Sequence, residues 1–297
     1  ATGSLPKTII NHPKIIFADD IFTYPLLPDK ILIIGAGAIG IEFASMLTNY
    51  GKTVTVVEKE KIILPTFDSY FSKRLRMVLQ NKGIIIETGK SVSDFDLNVF
   101  DMVISAVGRM PNIEDLKIEN SGVSYDESGW IKTDKLMKTN IDNIYACGDI
   151  TGKKLLAYVA EYQARICIDN IKGKNREEDY NGLAECVFSV PQMAKVGILE
   201  EEAKAKNIKY RAIKSNFLKF SSAYVYDDTD GFIEIILDEN DYIIGAGIIS
   251  NLAGELISLF SLSINNKLKL ADLKKCLFIH PTLSEIIPLL AATNFPV

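Results

Sequence analysis

The chain has 297 residues, a formal net charge of -5 and a pI near 5.3. Its hydrophobic content of 47% and charged content of 24% are typical of a soluble globular protein, and its length predicts two or three domains. The acidic balance argues against non-specific binding to nucleic acid or to an anionic membrane surface. No apolar run reaches the ~20 residues needed to span a bilayer. We therefore expect neither a nucleic-acid partner nor a membrane partner.

The cysteines and the first residues bear on compartment and processing. The cysteines form no C-x-x-C pair and no zinc-like cluster with a histidine, so we expect no metal and predict buried, reduced thiols in a cytoplasmic type of compartment. The segment Ala1–Ser4 lacks the pattern of a signal peptide and indicates a cut within a longer sequence. A mitochondrial matrix location therefore stays open. The four cysteines are Cys147, Cys167, Cys186 and Cys276.

The first half of the chain alternates buried strands with helices. A short, continuous apolar run such as that at 30–34 is typical of a strand covered on both faces. Strands that alternate with helices predict a parallel sheet of the Rossmann type. The predicted strands are 30–34, 53–57, 84–87 and 100–106, and the predicted helices are 41–50 and 69–81.

The second half changes character. A short strand at 144–146 and a long helix at 155–172 precede a series of strand-like runs. These runs, covered by helices at 200–206, at 254–265 and at the C-terminus, predict an antiparallel-sheet α+β domain. The runs are 185–188, 210–215, 232–237 and 243–249.

A glycine-rich loop follows the first buried strand. Gly35, Gly37 and Gly40 form the pattern G-x-G-x-x-G between a strand and a helix. In that setting the glycines allow a tight turn, close approach of a pyrophosphate and close packing of helix on strand. Glu58, at the end of the next strand, has the position expected of an acceptor for ribose hydroxyls and favours NAD over NADP.

Three further features are weak when taken singly. Glu42 lies in the helix after the glycine loop, where an acidic residue also suits the positive helix end. The segment Gly108–Asn112 follows a strand and alone is an ordinary turn with a solvated arginine. The turn Cys147–Asp149 lies between a strand and a helix, where Asp149 can accept from a hydroxyl and the helix N-terminus can face a phosphate or a flavin ring.

His280 and Glu285 form the candidate acid/base pair. The sequence contains two histidines, so few side chains titrate near neutral pH. Pro281 suits the first position of a helix, which predicts that His280 stands at a helix entrance with Glu285 about one turn further on. A carboxylate there fixes the tautomer of the ring and raises the basicity of its other nitrogen. The alternative is a helix cap beside a solvated histidine.

Taken together, these motifs resemble the pyridine nucleotide-disulfide oxidoreductase family over essentially the whole chain. The run from His280 to Glu285 most resembles that of the dihydrolipoyl dehydrogenases. The resemblance implies a partial FAD domain at 1–28 and 135–174, an NAD domain at 29–134 inserted in it, and a dimerisation domain at 175–297. It implies that Gly35, Gly37, Gly40 and Glu58 hold NAD, with Gly108 near its nicotinamide end. It implies that Asp149 and Ala157 contact FAD and that Glu42 lies near the flavin. Further residues predicted to bind a cofactor are Gly3, Ile39, Val92 and Arg109.

The resemblance also implies an activity. In this family's mechanism, His280 would act on a disulfide of the partner subunit in a homodimer, and Glu285 would orient its ring. The protein would oxidise dihydrolipoamide, the lipoyl group of an acyltransferase complex, with FAD and reduce NAD. Another FAD-dependent disulfide or NADH reductase of the same fold is the alternative.

Two departures from the family pattern keep alternatives open. No two cysteines have the spacing C-x4-C, and the family's N-terminal segment that carries this pair is absent from the sequence. An inactive nucleotide-binding and dimerisation fragment is therefore a further hypothesis for the chain alone. Tyr158 also stands where the dehydrogenases usually have histidine.

Overall fold

A computed structural model describes residues 12–294 and the backbone of Leu5–Pro6. Within these residues the strands are β1 (Leu5–Pro6), β2 (Ile15–Phe17), β3 (Lys30–Ile34), β4 (Thr53–Glu58), β5 (Ile85–Thr88), β6 (Met102–Ser105), β7 (Arg109–Met110), β8 (Ala184–Val187), β9 (Gln192–Gly197), β10 (Arg211–Asn216), β11 (Phe232–Leu237) and β12 (Ile243–Ser250). The α-helices are α1 (Ala38–Asn49), α2 (Ser69–Asn81), α3 (Ala157–Ile171), α4 (Glu200–Ala205), α5 (Ser221–Val225), α6 (Ala253–Asn265), α7 (Leu270–Lys274) and α8 (Ile286–Asn294).

The chain forms two compact units. One contains residues 107–180 with β1, and the other contains residues 12–106 and 181–294. The three-domain division at 1–28 with 135–174, 29–134 and 175–297 stays a prediction, because the compact units follow tertiary contacts and not the family's division of the chain.

The larger unit contains a five-stranded parallel sheet in the order β2-β6-β3-β4-β5. Its central strand β3 pairs with β4 from Lys30↔Thr53 to Ile34↔Val57. Ile31, Leu32 and Ile33 are fully buried, as expected of a strand that is covered on both faces. The predicted parallel, Rossmann-like region is confirmed.

The same unit contains a five-stranded antiparallel sheet in the order β10-β11-β12-β9-β8. Every residue of β11 is buried, and α6 packs on the sheet through Leu256, Ile257 and Phe260. The predicted antiparallel domain is thus confirmed. Sequence analysis did not predict β9, because Gln192, Lys195 and Gly197 interrupt its apolar pattern.

The two sheets of this unit pack together through α2. Phe71 of α2 lies with its ring centroid 5.4 Å from that of Phe232 on β11. A Cβ atom at Gly247 would lie 2.4 Å from the Phe71 ring, so glycine is required where the ring meets β12. Asp68 and Glu201 add a reciprocal pair, in which each carboxylate accepts from a backbone N–H of the other segment, Ser69 N at 2.7 Å and Glu201 N at 3.0 Å.

The smaller unit is built around α3. Ile166 and Cys167 of this helix pack with Met137 in a small core, and Tyr145, Cys147 and Tyr162 lie against it. The predicted strand at 144–146 was wrong, because its pairing is limited to one isolated bridge between Lys138 and Tyr145. This segment nevertheless leads into the Cys147–Asp149 turn as expected.

The cysteine prediction was wrong in part. All four cysteines are free thiols, but only Cys167 is buried. Cys147 and Cys186 are half-buried, and Cys276 is exposed. Among the described residues, no helix is long and apolar enough to cross a bilayer.

A charge cluster joins α4 to the antiparallel sheet. Glu200 accepts hydrogen bonds from Lys214 on β10, from Lys204 at 2.9 Å and from Tyr210 at 2.8 Å. The bonds from Lys214 and Lys204 lower the pKa of Glu200 from its ordinary 4.5 to about 2. A carboxyl with a lowered pKa stabilises the fold above its unfolded pKa and loses that contribution as the pH falls through the folded one.

We expect Glu200→Gln to lower the free energy of unfolding by roughly 1–2 kcal/mol near neutral pH. The deficit should shrink as the pH falls from 4.5 toward about 2, where Glu200 of the wild type also becomes neutral. Urea unfolding over this range measures it. Glu202→Gln is the control, since its pair with Lys206 is exposed and contributes little. A loss of free energy of unfolding that does not vary with pH would contradict the lowered pKa of Glu200.

Candidate functional site

The loop Gly35–Gly40, the glycine loop hereafter, is fixed by close packing. Gly35 has φ +100°, a conformation that favours glycine, and its N–H donates to the Val57 carbonyl at 2.8 Å. A Cβ atom on Gly40 would lie 1.9 Å from the Gly35 carbonyl oxygen, so α1 approaches β3 as closely as a backbone can. The third glycine of the motif therefore has the packing role that the sequence predicts.

The second glycine has space around it. No atom lies within 4 Å of the position that a Cβ on Gly37 would occupy, and no side chain caps the N-terminus of α1. Ile39 is half-buried and packs on the parallel-sheet core. The loop thus presents an open backbone and a positive helix end, which fits the pyrophosphate of a dinucleotide.

Glu58 ends β4 directly beside the glycine loop. One carboxylate oxygen, Oε2, accepts from Ala36 N at 2.7 Å, and the other, Oε1, accepts from Glu60 N at 2.9 Å. The residue is 8% exposed. Because an ionised carboxylate has about four acceptor positions, these two bonds hold the side chain and leave capacity for ribose hydroxyls.

Glu42 points from α1 toward the loop that follows β8. Its Oε1 accepts from Phe188 N at 2.9 Å. Burial raises the pKa of Glu42, and the bond from Phe188 partly opposes the increase. Cys186 lies near Glu42. Its burial and, as a smaller effect, the charge of Glu42 raise the pKa of the Cys186 thiol to about 12. Sequence analysis missed Cys186 as a neighbour of Glu42, since the two are far apart in the chain.

The remaining predicted nucleotide residues lie at other positions. Val92 begins a 3-10 turn (Val92–Asp94) that follows β5 and is capped by Ser91. Gly108 has φ +115° and open space around its Cα, and Arg109 lies in β7, which pairs with β1. Their contacts with a cofactor stay predictions. Gly3 lies outside the described residues.

In the smaller unit, the Cys147–Asp149 turn lies against α3. Gly148 has φ +80°, and its N–H donates to Gln163 Oε1 at 2.6 Å. Asp149 begins a 3-10 turn (Asp149–Thr151), and Ala157 is the exposed first residue of α3, whose N-terminus has no side-chain cap. An exposed helix N-terminus and a nearby carboxylate fit a phosphate and a hydroxyl of a cofactor.

Gln163 is a positioning residue that the sequence did not reveal. It is fully buried and donates through Nε2 to the Tyr180 hydroxyl at 2.8 Å. Tyr180 in turn donates to Glu178 at 2.6 Å, and Lys153 donates to the other oxygen of Glu178 at 2.6 Å. Burial, followed by the bond to Glu178, raises the pKa of Tyr180 to about 12. The signal available in the sequence was a glutamine on the otherwise apolar face of α3.

His280 and Glu285 are in contact. His280 Nδ1 lies 2.8 Å from Glu285 Oε2, with the His280 side chain 73% exposed and that of Glu285 12% exposed. The predicted role of Pro281 as the first helical residue was wrong: Thr282 is extended, and a 3-10 turn (Leu283–Glu285) leads into α8. The ring is therefore held at the surface by a carboxylate anchored at a helix start.

Two further features bear on ligand binding. Across the described residues, no group of three or more His, Cys, Asp or Glu side chains is placed to hold a metal ion. A cavity of about 230 Å³ is lined by residues that include Phe67, Lys195 and Glu201. None of the predicted site residues lines this cavity, so the cavity is not the candidate site.

A glycine loop between a buried parallel strand and a helix, with a carboxylate at the end of the next strand, defines a dinucleotide-binding fold. The chain belongs to the pyridine nucleotide-disulphide oxidoreductase family, which matches residues 1–164, and the family's dimerisation domain matches residues 183–291. The cofactor prediction is confirmed at this level, because the family consists of FAD-dependent enzymes that use NAD or NADP.

Individual relatives support the assignment. A dihydrolipoyl dehydrogenase of Chlamydia pneumoniae is 36% identical over all of this chain and 68% of its own length. One of Staphylococcus aureus is 33% identical over 96% of this chain and 66% of its own length. The chain therefore spans about two thirds of the length of these curated relatives.

Solved structures agree on the fold. The Cu(II) complex of the HOCl-induced flavoprotein disulfide reductase RclA from Escherichia coli has a TM-score of 0.91 and 26% identity, covering 99% of this chain and 71% of its own. LpdA from Mycobacterium tuberculosis has a TM-score of 0.89 at 24% identity, covering 99% of this chain and 68% of its own.

Two glycine substitutions separate packing from binding. Gly40→Ala should lower the free energy of unfolding by about 1–3 kcal/mol, because its methyl group overlaps the Gly35 carbonyl. Gly37→Ala should leave stability nearly unchanged but weaken NADH binding at least about tenfold, because its methyl group lies where the pyrophosphate approaches. Thermal melting and NADH fluorescence titration measure the two effects. Undiminished NADH affinity of Gly37→Ala would count against the loop as the binding site.

Gln163→Leu should leave the Gly148 N–H without its acceptor. We expect this change to lower the free energy of unfolding by about 1–3 kcal/mol. Amide exchange in the segment that contains Cys147–Asp149 should accelerate. Hydrogen–deuterium exchange with mass spectrometry reads this directly. Gln80→Leu, at an exposed glutamine of α2, is the matched control. Equal exchange in the Gln163 variant and the wild type would show that Gln163 does not position the turn.

Proposed function

We propose that the protein is a dihydrolipoyl dehydrogenase-like flavoenzyme that oxidises dihydrolipoamide and reduces NAD. The observation that carries the proposal is the 2.8 Å contact between His280 Nδ1 and Glu285 Oε2. Glu285 as carboxylate is an acceptor only, so Nδ1–H donates and Nε2 carries the free lone pair. An exposed ring in this tautomer is suited to accept a proton from a thiol of the substrate.

Removal of a proton from the substrate thiol by His280 is the step that the chain's own residues perform. The thiolate, not the thiol, attacks a disulfide, so removal of this proton starts the exchange. Glu285 stabilises the imidazolium that results and holds the ring for return of the proton. The bound cofactors supply the redox chemistry.

Separate groups of residues would hold the cofactors. We assign the pyrophosphate of NAD to Gly37 and the N-terminus of α1, and its adenosine ribose to Glu58. Asp149, Ala157 and Gln163, the last through the Gly148 N–H, are assigned to FAD. The open backbone at Gly37 and the helix ends without side-chain caps support these assignments.

A homodimer completes the proposal. The family's dimerisation domain is present, and exposed apolar side chains flank His280, with Leu277 fully exposed and Ile279 76% exposed. We propose that a second copy of the whole protein covers them, so that the disulfide of one subunit meets His280 of the other. A lipoyl group of an acyltransferase complex as the substrate's source, and a cytoplasmic location, stay predictions.

A second candidate is another disulfide reductase of the same fold. The match to the flavoprotein disulfide reductase of E. coli favours it, as does Tyr158 in place of the histidine usual in the dehydrogenases. It uses the same His280–Glu285 pair on a different substrate. Because the chain contains no C-x4-C pair, either activity is proposed for the whole protein and must be measured on it.

In the full-length protein, His280→Ala should lower kcat for dihydrolipoamide about 10²- to 10⁴-fold while FAD and NADH stay bound. Glu285→Gln should lower kcat less and change its pH profile, since an amide orients the ring without stabilising its charge. His12→Ala is the control at the other histidine. Steady-state kinetics with a flavin spectrum measure these effects. Near-normal turnover by His280→Ala would refute the assignment.

A further inference from the structure

Two thiols of the smaller unit lie next to each other. Cys147 precedes Gly148 in the Cys147–Asp149 turn, and Cys167 lies on α3. Cys167 belongs to the small core with Met137 and Ile166, and Cys147 packs against this core. The two thiols lie close enough that Cys147 contributes to raising the pKa of Cys167. Neither thiol has a part in the proposed dehydrogenase mechanism.

Hydrogen bonds anchor the two residues that flank Cys147. Ala146 N donates to the Met137 carbonyl at 3.2 Å, and Gly148 N donates to Gln163 at 2.6 Å. Gln163 and Cys167 are four residues apart and therefore share a face of α3. Cys147, between the two anchored residues Ala146 and Gly148, is thus held against the small core that contains Cys167.

The two thiols differ in accessibility. Cys147 is half-buried, whereas Cys167 is 7% exposed. Burial, together with the neighbouring Cys147, raises the pKa of Cys167 to about 12, so this thiol is protonated at neutral pH. An oxidant from solvent therefore meets Cys147 first, and Cys167 is the resolving group.

We propose that Cys147 and Cys167 form an intramolecular disulfide when the protein meets hydrogen peroxide. The Cys147 thiolate attacks one peroxide oxygen, the O–O bond breaks, and the released hydroxide takes up a proton to give water and a sulfenic acid on Cys147. The Cys167 sulfur then attacks the Cys147 sulfur. The S–O bond breaks, and the hydroxyl leaves as water with the Cys167 proton. Two thiols are oxidised and one peroxide is reduced to two waters.

Proximity makes the second step favourable. A thiol held close to the sulfenic sulfur reacts at a high effective concentration, which offsets its low thiolate fraction. The product ties the turn that carries Asp149 to the middle of α3 and closes a loop of about twenty residues, which restricts the unfolded chain. The turn assigned to FAD is thereby fixed under oxidising conditions. The disulfide itself does not depend on the dehydrogenase activity.

Peptide mapping of the chain tests the proposal without any cofactor. Trypsin separates Cys147, in peptide 139–153, from Cys167, in peptide 166–172. After peroxide treatment, unfolding and alkylation of remaining thiols, we expect these peptides linked, with a mass two hydrogens below their sum. The linked species should be lost, by at least about tenfold, in Cys147→Ser and Cys167→Ser.

Two other cysteines provide controls. Cys276→Ser should form the linked species as the wild type does, because Cys276 is exposed and lies in the other unit. Cys186, half-buried like Cys147, should remain alkylated. The proposal is overturned if Cys147 and Cys167 of the wild type stay alkylated at peroxide concentrations that oxidise Cys276, or if Cys147 stops at a sulfinic acid. Both outcomes are measured on the wild type, so a variant that fails to fold does not prevent the test.

Discussion

The close approach of α1 to β3 is the constraint on which the larger unit depends. Gly40 lies against the Gly35 carbonyl so closely that any side chain would overlap it. This contact aims the N-terminus of α1 along the open backbone at Gly37 and leaves Glu58 within 2.7 Å of Ala36 N. One turn further along α1, Glu42 reaches the Phe188 N–H beside the antiparallel sheet. A single backbone contact thus orients both the proposed nucleotide site and the carboxylate assigned to the flavin.

The fold was predictable wherever burial produced continuous apolar runs. The range 232–237 predicted for β11 matches the observed strand, because every residue there is buried and all but Glu234 are apolar. Prediction from the sequence failed where tertiary contacts, and not the local pattern of apolar residues, determine the structure. Strand β9 carries Lys195, whose amine donates to the Thr66 carbonyl at 2.7 Å and lies over the Phe67 ring. Such a lysine satisfies its polar end through a distant segment, which no local window reveals.

The site was predictable in its motifs and not in its supporting groups. The spacing of Gly35, Gly37 and Gly40 encodes local geometry, so the sequence alone indicated their roles. His280 and Glu285 were paired because they are five positions apart in the sequence, although the helix starts later than Pro281 suggested. The bond of Gln163 to the Gly148 N–H and the packing of Cys147 against the core that contains Cys167 depend on α3 folding back onto a turn, so they are properties of the tertiary structure.

The central claim is that His280 and Glu285 serve dihydrolipoamide oxidation linked to NAD. The most direct measurement compares kcat/KM of the full-length protein for dihydrolipoamide with NAD against that for glutathione disulfide with NADH. The account predicts that dihydrolipoamide exceeds glutathione disulfide by at least about 10²-fold, since recognition of different polar groups can discriminate this strongly. A preference for glutathione disulfide would contradict the claim and identify the protein as a different disulfide reductase of the same fold.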